Sequence, residues 1–381
     1  MRPPLQSFLG HIRSLPGQLP RLLQEIEPRT RLVLSTPEIY GIRQIILTGS
    51  GDSLIAAASV VPALRAWTGL PVQAVAAMEA ARYLALTTKS RSMPLRAALV
   101  VCVSHSGEAA RAVEAAQRTR AAGALTLAVT AHPESRLGRT TVKVLDLPII
   151  EADTPLNTFP HCAALLGLYL LGIRIAEARM RITMDGANAL RRSLSDLQDA
   201  MAASIMRCEA PLVERARAWE HCHAADILGS GPATGAAAYC AAKLIEAAGI
   251  HAAAQDVEEF FHLSYFVANP TVLPTVVFAP ARSRAAGRVT ELLPALQQLG
   301  RPFLLLTDDP AFGPPHDTLA LPGTHELLTP LLDIIPAAML AAFWADQIGA
   351  EPFRGHAGPW RASHAAALVR GSAIQSLTAE D

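Results

Sequence analysis

A chain of 381 residues with 51% hydrophobic and only 17% charged side chains carries enough apolar material for two domains of ordinary size, which excludes intrinsic disorder. Lys+Arg and Asp+Glu both number 33, so the net charge is zero and the basic footprint of a nucleic-acid partner is missing. The five cysteines, an odd number with no Cys-x-x-Cys spacing, predict reduced thiols and a cytoplasmic protein. Met1-Arg2-Pro3-Pro4 leads into no apolar h-region, so no signal peptide is predicted. The apolar run Cys162–Ile173 stops at Arg174, and Leu331–Ala345 contains Asp333 and Pro336. Both fall short of the ~20 apolar residues a membrane span needs, so both read as buried core helices and no membrane partner is expected. His221-Cys222-His223 sets its side chains next to one another rather than at helical or loop spacing, and no metal is expected.

In chain order, residues 1–40 read as a helical arm of two short pieces punctuated by Pro16, Pro20, Pro28 and Pro37, packed on the first domain. The first α/β domain is expected over residues 41–190. Its strands are Ile45–Thr48, Val72–Val75, Leu99–Val103, Leu125–Val129 and Val142–Leu147, with helices between them and a long helix over 162–180. Continuous apolar runs alternating with helices predict a parallel sheet covered on both faces. A second domain, 191–345, repeats the pattern: Ala225–Leu228, then a helix from about Ala236, Val276–Phe278, a helix near Arg288–Leu299, Phe303–Leu306 and Leu319–Leu321. Gly49-Ser50-Gly51 and Gly229-Ser230-Gly231 are one tripeptide, each after an apolar strand, so two copies of a single unit is the simplest account. Residues 346–381, with Pro352, Gly355, Gly358 and Pro359, predict an irregular tail over a surface or cleft.

In open parallel sheets ligands sit at the carboxyl ends of the strands, where helix N-terminal amides favour an anion. Ser104-His105-Ser106-Gly107-Glu108 closes such a strand, and its hydroxyls, amides and glycine suit a phosphate. The same serines also suit an N-cap for the helix beginning near Ala109, and the loop alone leaves both readings open. In the second half Ala279-Pro280-Ala281 stands at the corresponding place, without hydroxyls and with one amide donor fewer, which points to a kept fold and a changed task. Gly49-Ser50-Gly51-Asp52-Ser53 lacks the third glycine of a dinucleotide fingerprint, so no such cofactor is expected.

These residues, with Gly51-Asp52-Ser53 and Asn157-Thr158 in the first half and Lys243-Leu244-Ile245-Glu246, Ile250-His251-Ala252 and Glu259-Phe260-Phe261-His262 in the second, resemble the double SIS (sugar isomerase) domain family. Within it the chain looks most like the isomerase half of glucosamine-6-phosphate synthase and the related phosphosugar isomerases, deglycases and deaminases, over about residues 40 to 355. The resemblance implies two tandem SIS domains, each a flavodoxin-like or Rossmann-like parallel sheet flanked by helices in an α/β (αβα) sandwich. It implies a phosphorylated sugar as the partner, no cofactor, and a homodimer whose site is shared between subunits. Gly51, Ser53, Ser104, His105, Ser106, Asn157 and Thr158 are the implied substrate and phosphate contacts. Glu246 is the implied base, His262 the ring-opening group acting in the neighbouring subunit, and Lys243 the support for charge near the substrate. The sequence also departs from the family. Ala109 stands for a threonine, Phe159 for a lysine and Leu263-Ser264 for Gly-Pro, and Arg354–Gly358 holds no lysine. With the first sheet starting near residue 40, glutamine-dependent synthesis is not expected.

Aldose–ketose isomerisation moves a proton between C1 and C2 through a cis-enediol, work for one carboxylate, one histidine at the ring oxygen and one lysine at the developing oxyanion. Lys243, Glu246 and His262 are such a set. Read without the family, Lys243 and Glu246 are an i,i+3 surface pair worth ~0.2–0.5 kcal/mol and His262 is a packed residue. The expected function is a phosphosugar isomerase. A deglycase or deaminase of a phosphorylated amino sugar or sugar–amine adduct is the alternative, since Glu258–His262 is similar to the deglycase branch. A non-catalytic sugar-phosphate sensor is the second alternative.

Overall fold

The structure is a computed structural model that describes residues 1–84, 95–150, 156 and 158–375. It opens on helix α1 (Pro3–Val33), 31 residues running unbroken through Pro16, Pro20 and Pro28, followed by the short α2 (Thr36–Gly41). The arm expected as two short pieces over residues 1–40 is thus one long helix and one short one, and Pro16, Pro20 and Pro28 do not punctuate the first. Leu5, Phe8, Leu9, Ile12, Leu15, Leu19, Leu22 and Ile26 recur at three- and four-residue steps and are all at most 1% exposed. A proline inside a helix costs about 3 kcal/mol, while each such buried side chain contributes about 1.5–3 kcal/mol, so the continuous stripe outweighs the punctuation. Pro37 falls in the first turn of α2, where no amide is lost, behind a capping box of Ser35 and Glu38.

The first sheet follows in chain order: β1 (Gln44–Gly49), α3 (Asp52–Thr68), β2 (Val72–Ala76), α4 (Ala77–Arg82), β3 (Ala98–Val103), α5 (Ala110–Ala121), β4 (Leu125–Thr130), α6 (Arg136–Thr140), β5 (Lys143–Asp146) and then the apolar helix α7 (Phe159–Ala178). The strands lie in the order β2-β1-β3-β4-β5, all parallel, with Thr48 opposite Cys102 and Val103 opposite Val129. Every residue of β1 and β3 is buried, which is why both read as unbroken apolar runs rather than alternating ones.

Helix α8 (Met184–Ala218) is 35 residues long and was not expected. Its buried stripe of Ala187, Leu194, Leu197, Met201, Ser204, Cys208, Leu212 and Ala216 holds it together past Pro211. The second sheet then runs β6 (Ala224–Gly229), α9 (Ala233–Ala248), β7 (His251–Gln255), α10 (Val257–His262), β8 (Thr275–Phe278), α11 (Ala286–Gln298), β9 (Phe303–Thr307), β10 (Thr318–Ala320), α12 (Thr329–Leu332) and α13 (Ile334–Gln347). Its order is β7-β6-β8-β9-β10, again parallel, so both sheets share one topology. Strand β7 was also not expected: His251-Ala252-Ala253-Ala254-Gln255 has no β-branched residue and lies at a sheet edge. The helical runs Phe159–Ala178 and Glu326–Gln347 are long and apolar enough to cross a membrane, and 89% and 94% of their apolar windows are buried inside the protein, as in core helices of soluble proteins. In the second unit α13 packs along α9.

The chain divides into two compact units. Of the described residues, one holds Met1–Leu19, Leu156, Thr158, Phe159 and Ser193–Arg354, around the second sheet; the other holds 20–84, 95–150, Pro160–Arg192 and 355–375, around the first. The contiguous spans 1–40, 41–190, 191–345 and 346–381 drawn from the sequence are thus interleaved, because α1 and α8 each contribute to both units. The tail is not irregular throughout: it forms α14 (Gly358–Ala362) and α15 (Ala365–Gly371) in the first-sheet unit. It is tied there by arginines, Arg136 Nη2 donating to Arg370 O at 2.7 Å and Arg111 Nη2 to Ser372 Oγ at 3.1 Å.

Candidate functional site

In a sheet of this strand order the crevice forms where the winding reverses, between β1 and β3. The residues that leave those two strands are Asp52 and Ser53 on one side and Ser104 and His105 on the other. Asp52, Ser53 and His105 line a small cavity, closed by Val103, Val129 and Leu147 from the strand ends and by Pro160, His161 and Ala164 of α7. The serine loop beside it is held from both flanks. Ser104 N donates to Val129 O at 3.0 Å, His105 O accepts from Ala131 N and from Thr130 Oγ1 at 3.1 Å each, and Leu137 N donates to Gly107 O at 3.0 Å.

Helix α5 takes Ala109 as its N-cap, and no side chain caps it. Ser106 Oγ instead accepts from Glu108 N at 3.3 Å, inside the loop. The capping reading of these serines therefore does not describe the geometry. Gly107 sits at φ +64°, and a Cβ there would lie 1.8 Å from Ser135 Oγ and 2.4 Å from Ser135 Cβ. Gly107→Ala should cost about 2 kcal/mol or more, through the left-handed backbone and the clash together. A denaturant midpoint equal to that of the wild type would show that the loop tolerates a side chain.

Burial, and then the nearby His132, push the pKa of His105 down. Its ring meets that of His132 edge-on at 5.9 Å, and its buried Nδ1 has no hydrogen-bond partner. At neutral pH this imidazole offers an anion one N–H and no charge. Glu108 is held below the usual carboxylate range by hydrogen bonds from the Arg136 backbone and guanidinium, the latter 2.7 Å away. Through Arg136 the loop also reaches the tail at Arg370 O.

The other expected contacts are placed as follows. Gly51 is the N-cap of α3 at φ +55°. Thr158 is fully buried, its Oγ1 has no protein partner, and it groups with the second-sheet unit. Asn157 lies outside the described residues. Sequence reasoning passed over His161, which is 3% exposed and has Nδ1 3.1 Å from Asp52 O. Its signal was a polar residue opening the otherwise apolar run of α7.

In the second unit, Lys243 and Glu246 face the same side of α9 one turn apart. Lys243 is 2% exposed, Nζ lies 2.6 Å from Glu246 Oε2 and 5.1 Å from the centre of the Tyr239 ring. A buried ammonium on a half-buried carboxylate is not the solvated surface pair that spacing alone suggested. Glu246 O accepts from Phe353 N at 2.8 Å, and Ala248 O from Arg354 Nη2 at 3.0 Å, so residues 353–354 close the end of α9. His262 ends α10 with its side chain 65% exposed, which is not the packed residue read without the family. Its Nε2 lies 3.2 Å from Glu258 Oε1, and Arg288 Nε lies 2.6 Å from Glu258 Oε2. Hydrogen bonds from His262 and Arg288 hold the Glu258 carboxyl below its ordinary value.

All five cysteines are free and buried, and burial pushes Cys102, Cys162 and Cys208 up to about 12, which leaves no reactive thiolate.

Comparison with known proteins agrees with this architecture. The SIS domain family matches residues 38–171. The "Glutamine--fructose-6-phosphate aminotransferase [isomerizing]" of Mycobacterium bovis is 27% identical over 316 residues, 81% of this chain and 49% of that protein, so the chain spans about half the length of the curated relatives it matches. Among solved structures, the C-terminal domain of glucosamine-fructose-6-phosphate aminotransferase from Francisella tularensis superposes with a TM-score of 0.79 at 17% identity, covering 91% of this chain and 97% of that one. Glucosamine-6-phosphate deaminase from Thermotoga maritima superposes at 0.70 with 16% identity, covering 91% and 97%. The two five-stranded sheets match the tandem SIS arrangement, and residues 38–171 are similar to the SIS domain family.

Proposed function

We propose that this chain is a phosphosugar isomerase. Ser53, Ser104, His105 and Ser106 hold the phosphate, with Gly51, Asn157 and Thr158 as further substrate contacts. The observation that supports this most is the serine loop: it stands at the reversal point of the first sheet, beside a cavity lined by Ser53 and His105, and its hydroxyls cap no helix. Glu246 takes the proton from C2 of the open-chain aldose and returns it to C1 of the cis-enediol. The hydroxyl proton moves from O2 to O1, so the ketose forms with no net loss. Lys243 offsets the oxyanion in between. His262 opens the sugar ring, and its exposure fits a role in the site of a second copy of the chain. That makes the working form a homodimer.

One test joins binding to chemistry. Ser106→Ala should weaken binding of the preferred sugar phosphate by about 1.5–3 kcal/mol, the worth of a hydrogen bond to a charged group, while the fold stays equally stable. Calorimetric titration with hexose, pentose and amino-sugar phosphates reads this directly, and unchanged affinity for all of them would remove the phosphate assignment. Solvent deuterium should enter the substrate at C2.

A second reading, a deglycase or deaminase, rests on Glu258–His262 and on the Thermotoga maritima neighbour. It shares the early proton transfers and adds loss of the amine, so ammonia or amine release separates the two. Binding without exchange or release selects a sensor instead.

A further inference from the structure

The second sheet carries its own small cavity at the same carboxyl edge, and its chemistry is the reverse of the first. Where the first sheet has a serine loop, Ala279 and Pro280 leave β8, and Asp308 and Asp333 enter the cavity from the end of β9 and the start of α13. Asp308 Oδ1 accepts from Ala281 N at 2.7 Å, so this carboxylate fixes the loop that would otherwise offer an amide to an anion. Asp333 is 7% exposed. Thr307 also lines the cavity, is 3% exposed, and its Oγ1 has no hydrogen-bond partner. Leu306, Leu321 and Leu332 form apolar walls, and the lining contains no lysine, arginine or histidine.

We propose that this cavity binds a small organic ammonium ion, with Asp308 and Asp333 taking the charge and Thr307 Oγ1 accepting one ammonium hydrogen. Two carboxyl groups without a cation in a poorly solvated pocket disfavour an anion and favour a positive guest, which lets both ionise. The apolar walls suit the carbon skeleton of an amine. A hard divalent cation takes six to eight oxygen ligands, more than two carboxylates and a hydroxyl supply. The site is independent of the phosphate loop and of Glu246.

Burial, and then Asp308, push Asp333 up to about 8, so in the empty cavity it carries a proton at neutral pH. The groups facing it are Asp308 across the cavity and Cys208 of α8, whose neighbour on that helix is Arg207. An ammonium guest replaces that proton. Affinity should therefore rise about tenfold per pH unit below about pH 8 and level off above it.

Calorimetric titration with ethanolamine, and with ethylene glycol as the neutral control, tests the site. Ethanolamine is expected to bind saturably, ethylene glycol not at all, and two buffers of unequal ionisation heat should reveal one proton released. Asp333→Asn should cost at least about tenfold in affinity and abolish the proton release, because the amide neither pairs nor titrates. Thr307→Val, which keeps the volume, should weaken binding by a smaller factor at an unchanged unfolding midpoint. That keeps the test open even if Asp333→Asn does not fold. Equal heats for ethanolamine and ethylene glycol, wild-type binding by both variants, or saturable binding of magnesium in place of ethanolamine would overturn the proposal.

Discussion

Replacing Glu246 by glutamine should lower turnover of the preferred sugar phosphate by at least about 10³-fold, within the range contributed by a positioned general base. The side chain that takes a carbon-bound proton must be anionic and within hydrogen-bond reach, and glutamine keeps the shape while removing the charge. Glu246 occupies one turn of α9 beyond Lys243, with the two charges 2.6 Å apart. The same substitution takes away the carboxylate beside a lysine that is 2% exposed, so a loss of stability accompanies the loss of rate. Glu246→Asp separates the two effects: it keeps the charge, shortens the reach, and should lose rate with little loss of stability. Phosphate binding should survive both changes. Wild-type deuterium exchange at C2 by the glutamine variant would rule Glu246 out as the base. Mixing Glu246→Gln subunits with His262→Ala subunits reads the dimer: action in trans restores up to one intact site per mixed dimer, and action in cis restores none. A light-scattering mass of a monomer at micromolar concentration would sink the shared site.

Asp333→Asn should make the ligand-free protein more stable at alkaline pH. Burial and Asp308 raise this carboxyl from its ordinary 3.8 to about 8. A group whose folded value lies above its unfolded one contributes stability that is complete below the unfolded value and is lost as pH rises through the folded value. The wild type should therefore weaken between about pH 4 and 8, by an amount of the order of 5 kcal/mol at this site. The amide does not titrate, and it preserves the shape of the protonated acid. Urea midpoints measured from acid to alkaline pH should converge at the acid end, separate in favour of the variant between about pH 4 and 8, and keep that gap above it. Parallel curves would mean that Asp333 ionises in place without penalty.

How far each feature was legible follows from the range of the interaction that creates it. The central strands β1, β3, β4, β8 and β9 show in the sequence because a parallel strand covered on both faces is apolar along most of its length. The edge strand β7 is half exposed and rich in alanine, and without the neighbouring β6 it has no reason to be extended. In α1 the local signal of three prolines pointed one way and the stripe from Leu5 to Ile26 the other; tertiary burial of the stripe prevailed. The stripe of α8 is of the same kind, and it was passed over because Pro211 and the polar residues between its apolar positions hide the period.

The amino-acid sequence by itself determined the two-sheet α/β class, the strand-to-loop position of Ser104–Glu108 and the helical spacing of Lys243 and Glu246, since each depends on residues near one another in the chain. The tertiary structure alone decided which polar groups are buried and which converge. It sank Lys243 while leaving His262 at the surface. It set His161 of α7 against the carbonyl of Asp52, and it gathered Thr307, Asp308 and Asp333 into one cavity. Those groups come from different elements, and their burial and charge coupling exist only once each sheet has been covered by its helices and water excluded from the site.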